Sequence, residues 1–331
     1  MGSSPRIIVT GGAGFIGSNL VRALNGAGER DILLVDHLGA DEKWRNLVGL
    51  HFADYLDKTE FRARLRGGAL GGAQVVYHLG ACSSTTEIDA GYLMDNNTRY
   101  TRELCEWALG AGARFVYASS GATYGDGALG YDDADAVTPR LRPLNMYGYS
   151  KQAFDLWTLE AGLFAGGRIV GLKYFNVYGP GEDHKGEMRS VVHKAFHQVR
   201  ARGTVRLFRS YRDEYADGEQ KRDFVYVADA VAVTRFFGET GAPGGLYNVG
   251  TGTARTWLDL ARAVFAAMGE APAIDFIPMP EALRAKYQYE TRAATAKLRA
   301  AGYRGEFHAL EAGVADYVAK HLLPAAANEE S

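Results

Sequence analysis

Residues 6–24, RIIVTGGAGFIGSNLVRAL, pass from a short β-branched run through a cluster of glycines into a helical pattern. The unbroken apolar run reads as a buried strand, and Ile16, Leu20 and Leu24 share one face of the helix that follows. Strand, glycine turn and helix in that order open a βαβ unit. Gly11, Gly14 and Gly17 leave room for a pyrophosphate to approach the backbone at the positive end of the helix. A tight turn alone would also account for such glycines, so their position directly after the strand is what carries the reading.

Outward from this unit the alternation repeats. DILLVDHL (31–38), QVVYHLGA (74–81), ARFVYASS (113–120) and RIVGLKYFNVYG (168–179) read as further strands, the last preceded by a helical stretch at 150–164. Strands alternating with helices predict a parallel sheet covered on both faces, and right-handed crossovers make it a doubly wound α/β fold of the Rossmann type. Beyond about residue 176 the pattern loosens into Gly-rich and charged loops, with helices around 188–202 and 256–268. The expected division is a dinucleotide-binding domain at 1–175 with a return at 223–252, beginning at RDFVYVADAV, and a smaller α/β substrate lobe from 176–222 and 253–325. MGSSPR reads as a flexible leader and PAAANEES (324–331) as a frayed tail.

Composition narrows the function classes. Of 331 residues, 47% are apolar and 23% charged, the mark of an ordinary globular chain. A formal net charge of -2 gives no reason to expect nucleic acid as a partner. Cys82 and Cys105 lack metal-ligand spacing, so neither a disulfide framework nor a metal site is expected. No apolar run has bilayer length and no signal peptide precedes the first strand, which makes the cytoplasm the expected compartment.

Asp36 ends the second strand, where an acid bonds the ribose hydroxyls of NAD and repels the extra phosphate of NADP. Lys43 and Lys58 follow, and two cations could hold that phosphate; as solvated surface lysines they would not. The residues alone leave the choice open. NMYGYSK places Tyr147 and Lys151 four apart on one helix face. A free tyrosine is ionised about once in a thousand at pH 7, and an adjacent ammonium together with an oxidised nicotinamide ring favours the phenolate. Ser119 and Ser120 close a strand at the carboxyl edge, where such folds place their chemistry. Each signal is common by itself. Glycine turn, strand-end serine and Tyr-x-x-x-Lys in this order are far more specific.

With TGGAGFIG, ASSGATYG, YGYSK, YFNVYGP and RDFVYVADA the chain resembles the extended short-chain dehydrogenase/reductase family, home of nucleotide-sugar epimerases and dehydratases, over nearly its whole length. GACSSTTE, MDNN, PLNMYGYSK and NVYGPGEDHKG bring the closer resemblance, to the epimerases that invert carbon 6 of an ADP-linked heptose. The resemblance implies an NADP-dependent homopentamer, one cofactor per subunit, with ADP-heptose as substrate. Gly11, Gly14, Phe15, Ile16 and Gly17 would wrap the pyrophosphate. Asp36 and His37 would meet the adenosine ribose, and Lys43 and Lys58 the phosphate. Leu79, Gly80, Ala81, Cys82, Ser83 and Asn96 would line the cofactor, with Val177, Lys151 and Lys185 also touching it. Asn176, Arg222 and Tyr287 would contact the nucleotide sugar, as would Glu187, Lys194, Phe208, Arg209, Ser210 and Tyr211. Glu187 stands where a Ser is expected and Lys194 where a His is, and the loop at 209–220 is longer than in the shortest relatives.

Lys185, in EDHKGEM, poses the remaining question. On its own it reads as a phosphate contact. Carbon 6 of a heptose is exocyclic, so rotation about its bond to the ring presents either face, and the oxygen then occupies two places. One tyrosine is poorly placed to serve both, and a second acid/base across the pocket solves this. The resemblance implies that role for Lys185, joining a catalytic set of Tyr147, Lys151, Ser120 and Ser119. The competing readings are a UDP-sugar 4-epimerase, a nucleotide-sugar dehydratase, and a nucleotide-sensing protein that keeps the fold without the chemistry. The strand-end segment carries no elimination acid, which counts against the dehydratase.

Overall fold

The computed structural model describes residues 7–284 and 287–329; the leader MGSSPR and the last two residues of the tail lie outside them. Its strands are β1 (Ile7–Thr10), β2 (Ile32–Asp36), β3 (Asp54–Asp57), β4 (Val75–His78), β5 (Arg114–Ser120), β6 (Ile169–Tyr174), β7 (Asn176–Tyr178), β8 (Val205–Phe208), β9 (Lys221–Tyr226), β10 (Gly245–Val249), β11 (Ala254–Thr256) and β12 (Ile274–Ile277). The main helices are α1 (Phe15–Gly26), α2 (Lys58–Arg66), α3 (Ala90–Leu93), α4 (Tyr100–Gly110), α5 (Met146–Glu160), α6 (Val191–Arg202), α7 (Val227–Glu239) and α8 (Trp257–Met268). Seven parallel strands form the central sheet in the order β10-β6-β5-β4-β1-β2-β3. This is the doubly wound order, with the reversal between β1 and β4 that opens a crevice at the carboxyl ends.

The continuous apolar runs follow from burial on both faces. Successive residues of β1 enter different cores: Ile7 and Val9 pack with α1 and α7 through Leu20, Leu24 and Val233, while Ile8 packs with Phe61, Leu104 and Phe154 on the opposite face. Each such side chain contributes roughly 1.5–3 kcal/mol by leaving water. The sheet that carries the crevice is thereby rigid.

Several details differ from the sequence reading. β3 was not foreseen, because DYLD is short and polar. The stretch at 168–179 breaks at Phe175, where Val177 N–H bonds back to the Phe175 carbonyl at 2.9 Å, a tight three-residue turn. β6 therefore stays in the central sheet, and β7 joins a three-stranded sheet ordered β11-β9-β7. The return expected at 223–252 splits likewise: β9 belongs to that small sheet, α7 packs on α1, and β10 joins the central sheet. The tail expected to fray is helical over Leu323–Glu329; Leu322 and Ala326 bury against the core, which offsets the entropy of ordering.

Candidate active site

A cleft of about 410 Å³ opens at the carboxyl ends of β1, β4, β5 and β6. Its floor is the glycine turn. Gly11 has φ +69, and a Cβ there would lie 2.6 Å from Gly80 N; at Gly17 a Cβ would lie 2.0 Å from Gly11 O. Neither position accepts a side chain without moving backbone. Helix α1 starts at Gly14 with no side-chain cap, so its first-turn N–H groups are left to an anion. Gly11, Gly14, Phe15, Ile16 and Gly17 all line the cleft. An uncapped helix start beneath a bare backbone cradle fits the pyrophosphate of a dinucleotide.

At the end of β2, Asp36 is nearly closed off by protein donors. Its Oδ2 accepts from Ala13 N at 2.8 Å; its Oδ1 accepts from His37 N at 2.7 Å and from Lys43 Nζ at 2.6 Å. Lys58 Nζ donates to Asn96 Oδ1 at 2.8 Å. The two lysines thus bracket the end of the cleft that Asp36 and His37 line. Asn96 and its neighbour Asn97 both turn inward because the helix widens into a π-turn over Met94–Arg99. Asn97, which the motif MDNN contained but the sequence reading passed over, clamps Cys82 by accepting from its N–H and donating to its carbonyl, both at 2.9 Å. That holds Leu79, Gly80, Ala81, Cys82 and Ser83 along the cleft wall.

Tyr147 and Lys151 lie in the first two turns of α5, which Asn145 caps by accepting from Gly148 N at 2.8 Å. Both side chains reach the end of β5. Lys151 Nζ donates to the Ala118 carbonyl at 2.9 Å, and Tyr147 shares a hydrogen bond with Ser120. Burial raises the phenol above its ordinary value, while Ser120 pulls it back. Without the oxidised nicotinamide beside it, burial sets the direction for this phenol. Lys151 itself is brought down to about 8 by burial, opposed first by Asp155. The two serines part company. Alternation along β5 sends Ser120 to Tyr147, whereas Ser119 Oγ donates to the buried Asp155 at 2.6 Å. Ser119 also lines the cleft, but its hydroxyl is committed to Asp155.

Lys185 lies on a short helical turn, Asp183–Met188, strapped across the glycine turn. Asn19 Nδ2 donates to the Pro180 carbonyl at 2.8 Å, and Asn46 Nδ2 to the carbonyls of Gly181 and Ala13, both at 3.0 Å. Glu182, fully buried, accepts from Ser190 N and Oγ at 2.5 and 2.6 Å. The ammonium of Lys185 sits 5.0 Å over the Phe15 ring, and burial depresses it. Lys185, Val177, Tyr147 and Lys151 line one cleft. Nothing in the sequence flagged Asn19, Asn46 or Glu182, since polar residues on a helix or in a loop read as facing water.

The residues expected around the substrate are more scattered. Arg222 is buried, its guanidinium 4.9 Å over the Tyr287 ring and 5.5 Å over Trp257, and Trp257 Nε1 donates to Tyr287 OH at 2.8 Å. Trp257 was not foreseen. Tyr211 stacks under Arg284 at 3.8 Å and donates its N–H to Tyr289 OH. Ser210 is turned into its own loop, bonding Asp217 and the Arg212 carbonyl. Phe208 ends β8, Arg209 follows it exposed, and Asn176 is exposed at the start of β7. Glu187 and Lys194 pair with each other at 3.1 Å, Glu187 fully exposed. Neither residue lines the cleft described above.

Known proteins with this arrangement are numerous. The model of the NAD dependent epimerase/dehydratase family matches residues 7–250. A curated relative from Nitratidesulfovibrio vulgaris, named ADP-L-glycero-D-manno-heptose-6-epimerase, is 54% identical over 319 residues, covering 96% of this chain and 98% of its own. The crystal structure of the Helicobacter pylori ADP-L-glycero-D-manno-heptose-6-epimerase superposes with a TM-score of 0.76 at 27% identity, covering 96% of both chains. That of Thermus thermophilus UDP-glucose 4-epimerase, in complex with NAD, gives 0.75 at 29%, covering 95% of this chain and 97% of that one. Glycine cradle, tyrosine–lysine helix and family match agree: this chain belongs to the NAD dependent epimerase/dehydratase family.

Proposed function

We propose that the chain converts ADP-D-glycero-D-manno-heptose to its L-glycero form by inverting carbon 6 through a transient 6-keto sugar, with NADP, for lipopolysaccharide core assembly. One observation carries it: Tyr147 and Lys185 reach the same cleft from unrelated elements, a core helix and a strap. When bound, the oxidised dinucleotide supplies a hydride acceptor and a positive charge beside the phenol. Tyr147, anchored by Ser120, exchanges a proton with the carbon 6 oxygen in one pose. After rotation about the exocyclic bond, the Lys185 ammonium gives a proton to the oxygen in the other pose as the keto group is reduced, and burial eases that loss; in the reverse direction the amine takes it back. Lys151 positions the reacting end of α5 against β5. Arg222, set between two aromatic rings, offers a fork for the substrate diphosphate.

Likeness to solved structures does not separate 6- from 4-epimerases, since both kinds superpose about equally well. The 54% relative favours carbon 6. Turnover measured on ADP-heptose and on UDP-glucose decides: activity on the first alone supports the reading, and activity on the second alone overturns it. As implied by resemblance, the working form is a cytoplasmic homopentamer, which analytical ultracentrifugation tests.

A further inference from the structure

Behind Tyr147 and Lys151 lies a set of charges that the steps above leave unused. Asp155 sits one turn beyond Lys151 on α5, fully buried. Its Oδ1 accepts from Tyr117 OH at 2.8 Å and its Oδ2 from Ser119 Oγ at 2.6 Å. From β6, Lys173 brings its ammonium to 3.8 Å from that Oδ2 and 4.6 Å from the centre of the Tyr124 ring. Neither residue touches solvent, and Lys173 Nζ has no hydrogen-bond acceptor among the described residues. Stability does not explain such a pair, because apolar side chains of the same size would fill the space at lower cost.

The end of β5 shows what the charges face. Its consecutive residues Ala118, Ser119 and Ser120 serve, in turn, Lys151 through a carbonyl, Asp155 through a hydroxyl, and Tyr147 through a hydroxyl. Lys151 stands one helical turn from Tyr147 on one side and one turn from Asp155 on the other, all three on α5. We propose that Asp155 is a positioning carboxylate that keeps Lys151 in its ammonium form, and that Lys173 keeps Asp155 ionised. The charge next to the reacting phenol is then set from the next turn of the helix. This rests on the proposed roles of Tyr147 and Lys151.

The surrounding groups agree. Of the charges near Lys151, Asp155 is foremost in opposing the effect of burial, with Cys82 a lesser one. Burial raises Asp155, and Lys173 leads the groups that pull it back. His78, on β4, is held neutral near 3 between Thr10 and Thr101 and brings no counter-charge. Lys173 also feels Asp133, Asp135 and Lys297, each secondary to or opposing Asp155.

The test titrates lysines labelled with carbon-13 at Cε by NMR in the purified protein, Lys151 being assigned through Lys151→Arg. Asp155→Asn should lower the Lys151 midpoint by about one pH unit, a tenfold weakening of the ammonium. Asp155→Asn combined with Lys173→Met should do the same without leaving an uncompensated charge, and Lys173→Arg alone should keep the native midpoint. An unmoved midpoint in the folded double variant overturns the proposal. If that variant fails to fold, Asp155→Asn alone must lower the midpoint, and no change there overturns it equally. The titration needs no turnover. An inactive protein with the expected shifts would sink the assigned reaction alone, and an active one with an unmoved Lys151 would sink this inference alone.

Discussion

The two acid/base candidates are held by opposite means. Tyr147 rides on α5, which is tied to β5 through the Ala118 carbonyl and the hydroxyls of Ser119 and Ser120. Lys185 rides on a strap whose hold is a few side chains from elsewhere in the chain: Asn19, Asn46, Ser190 and, through His193 at 2.9 Å from Asp183, the start of α6. The first is as rigid as the fold. The second can be retuned without disturbing the core, which suits a residue that separates one epimerase from another on a shared scaffold.

The sharpest way to break this comparison is Tyr147→Phe. Ser120 keeps its bond to Ala122 N at 3.1 Å, so the fold should hold while turnover falls about a thousandfold. An unchanged melting temperature with normal turnover would remove Tyr147 from the chemistry. Lys185→Met should come next, lowering kcat about a hundredfold while the Michaelis constant stays within a few-fold. The converse pattern, a raised Michaelis constant with kcat spared, would make Lys185 a phosphate grip. Glu182→Gln sharpens the point. It leaves Lys185 in place but sets an amide N–H against the donors of Ser190, so kcat should drop about tenfold, in the same direction as the methionine variant.

Acid should find the sheet half first. Burial holds His78 near 3, below the ordinary 6.5, so the unfolded chain binds the extra proton between those values. Stability contributed there is intact above pH 6.5 and is lost as pH falls toward 3, about 2 kcal/mol between pH 7 and 5. Denaturant melts of the native protein and of His78→Asn at those two pH values measure it. Equal losses in both would acquit His78.

These contrasts also mark what the sequence could show. The doubly wound sheet was legible because burial on both faces leaves unbroken apolar runs, and the glycine turn because φ +69 at Gly11 and the near-contact at Gly17 admit no side chain. Tyr147, Lys151 and Lys185 were legible through spacing and resemblance. Asp155, Lys173 and Trp257 were not, since their meaning lies in contacts across the sheet or between lobes that no local pattern records. The pairing of Glu187 with Lys194 was equally invisible, since each was read alone.

The smallest expected effect concerns cofactor choice, and it runs between the rigid and the adjustable halves. Asp36 belongs to the sheet, and an acid there would normally repel a ribose phosphate. Here its carboxylate already accepts from Ala13 N and His37 N and is paired with Lys43 at 2.6 Å, so little of its charge faces outward. Lys43 stands on the loop after β2 and Lys58 opens α2, its ammonium held by Asn96 at 2.8 Å. On the proposed reading with NADP, these two ammonium groups, with one carboxylate largely neutralised, would receive the extra phosphate. Replacing both lysines with Ala should weaken NADP about tenfold while NAD changes less than about twofold, as measured by calorimetry. Lys43→Ala alone should do more harm than Lys58→Ala, because it also uncovers the charge of Asp36 toward the phosphate. Equal losses for the two cofactors would show that the lysines do not read the phosphate at all.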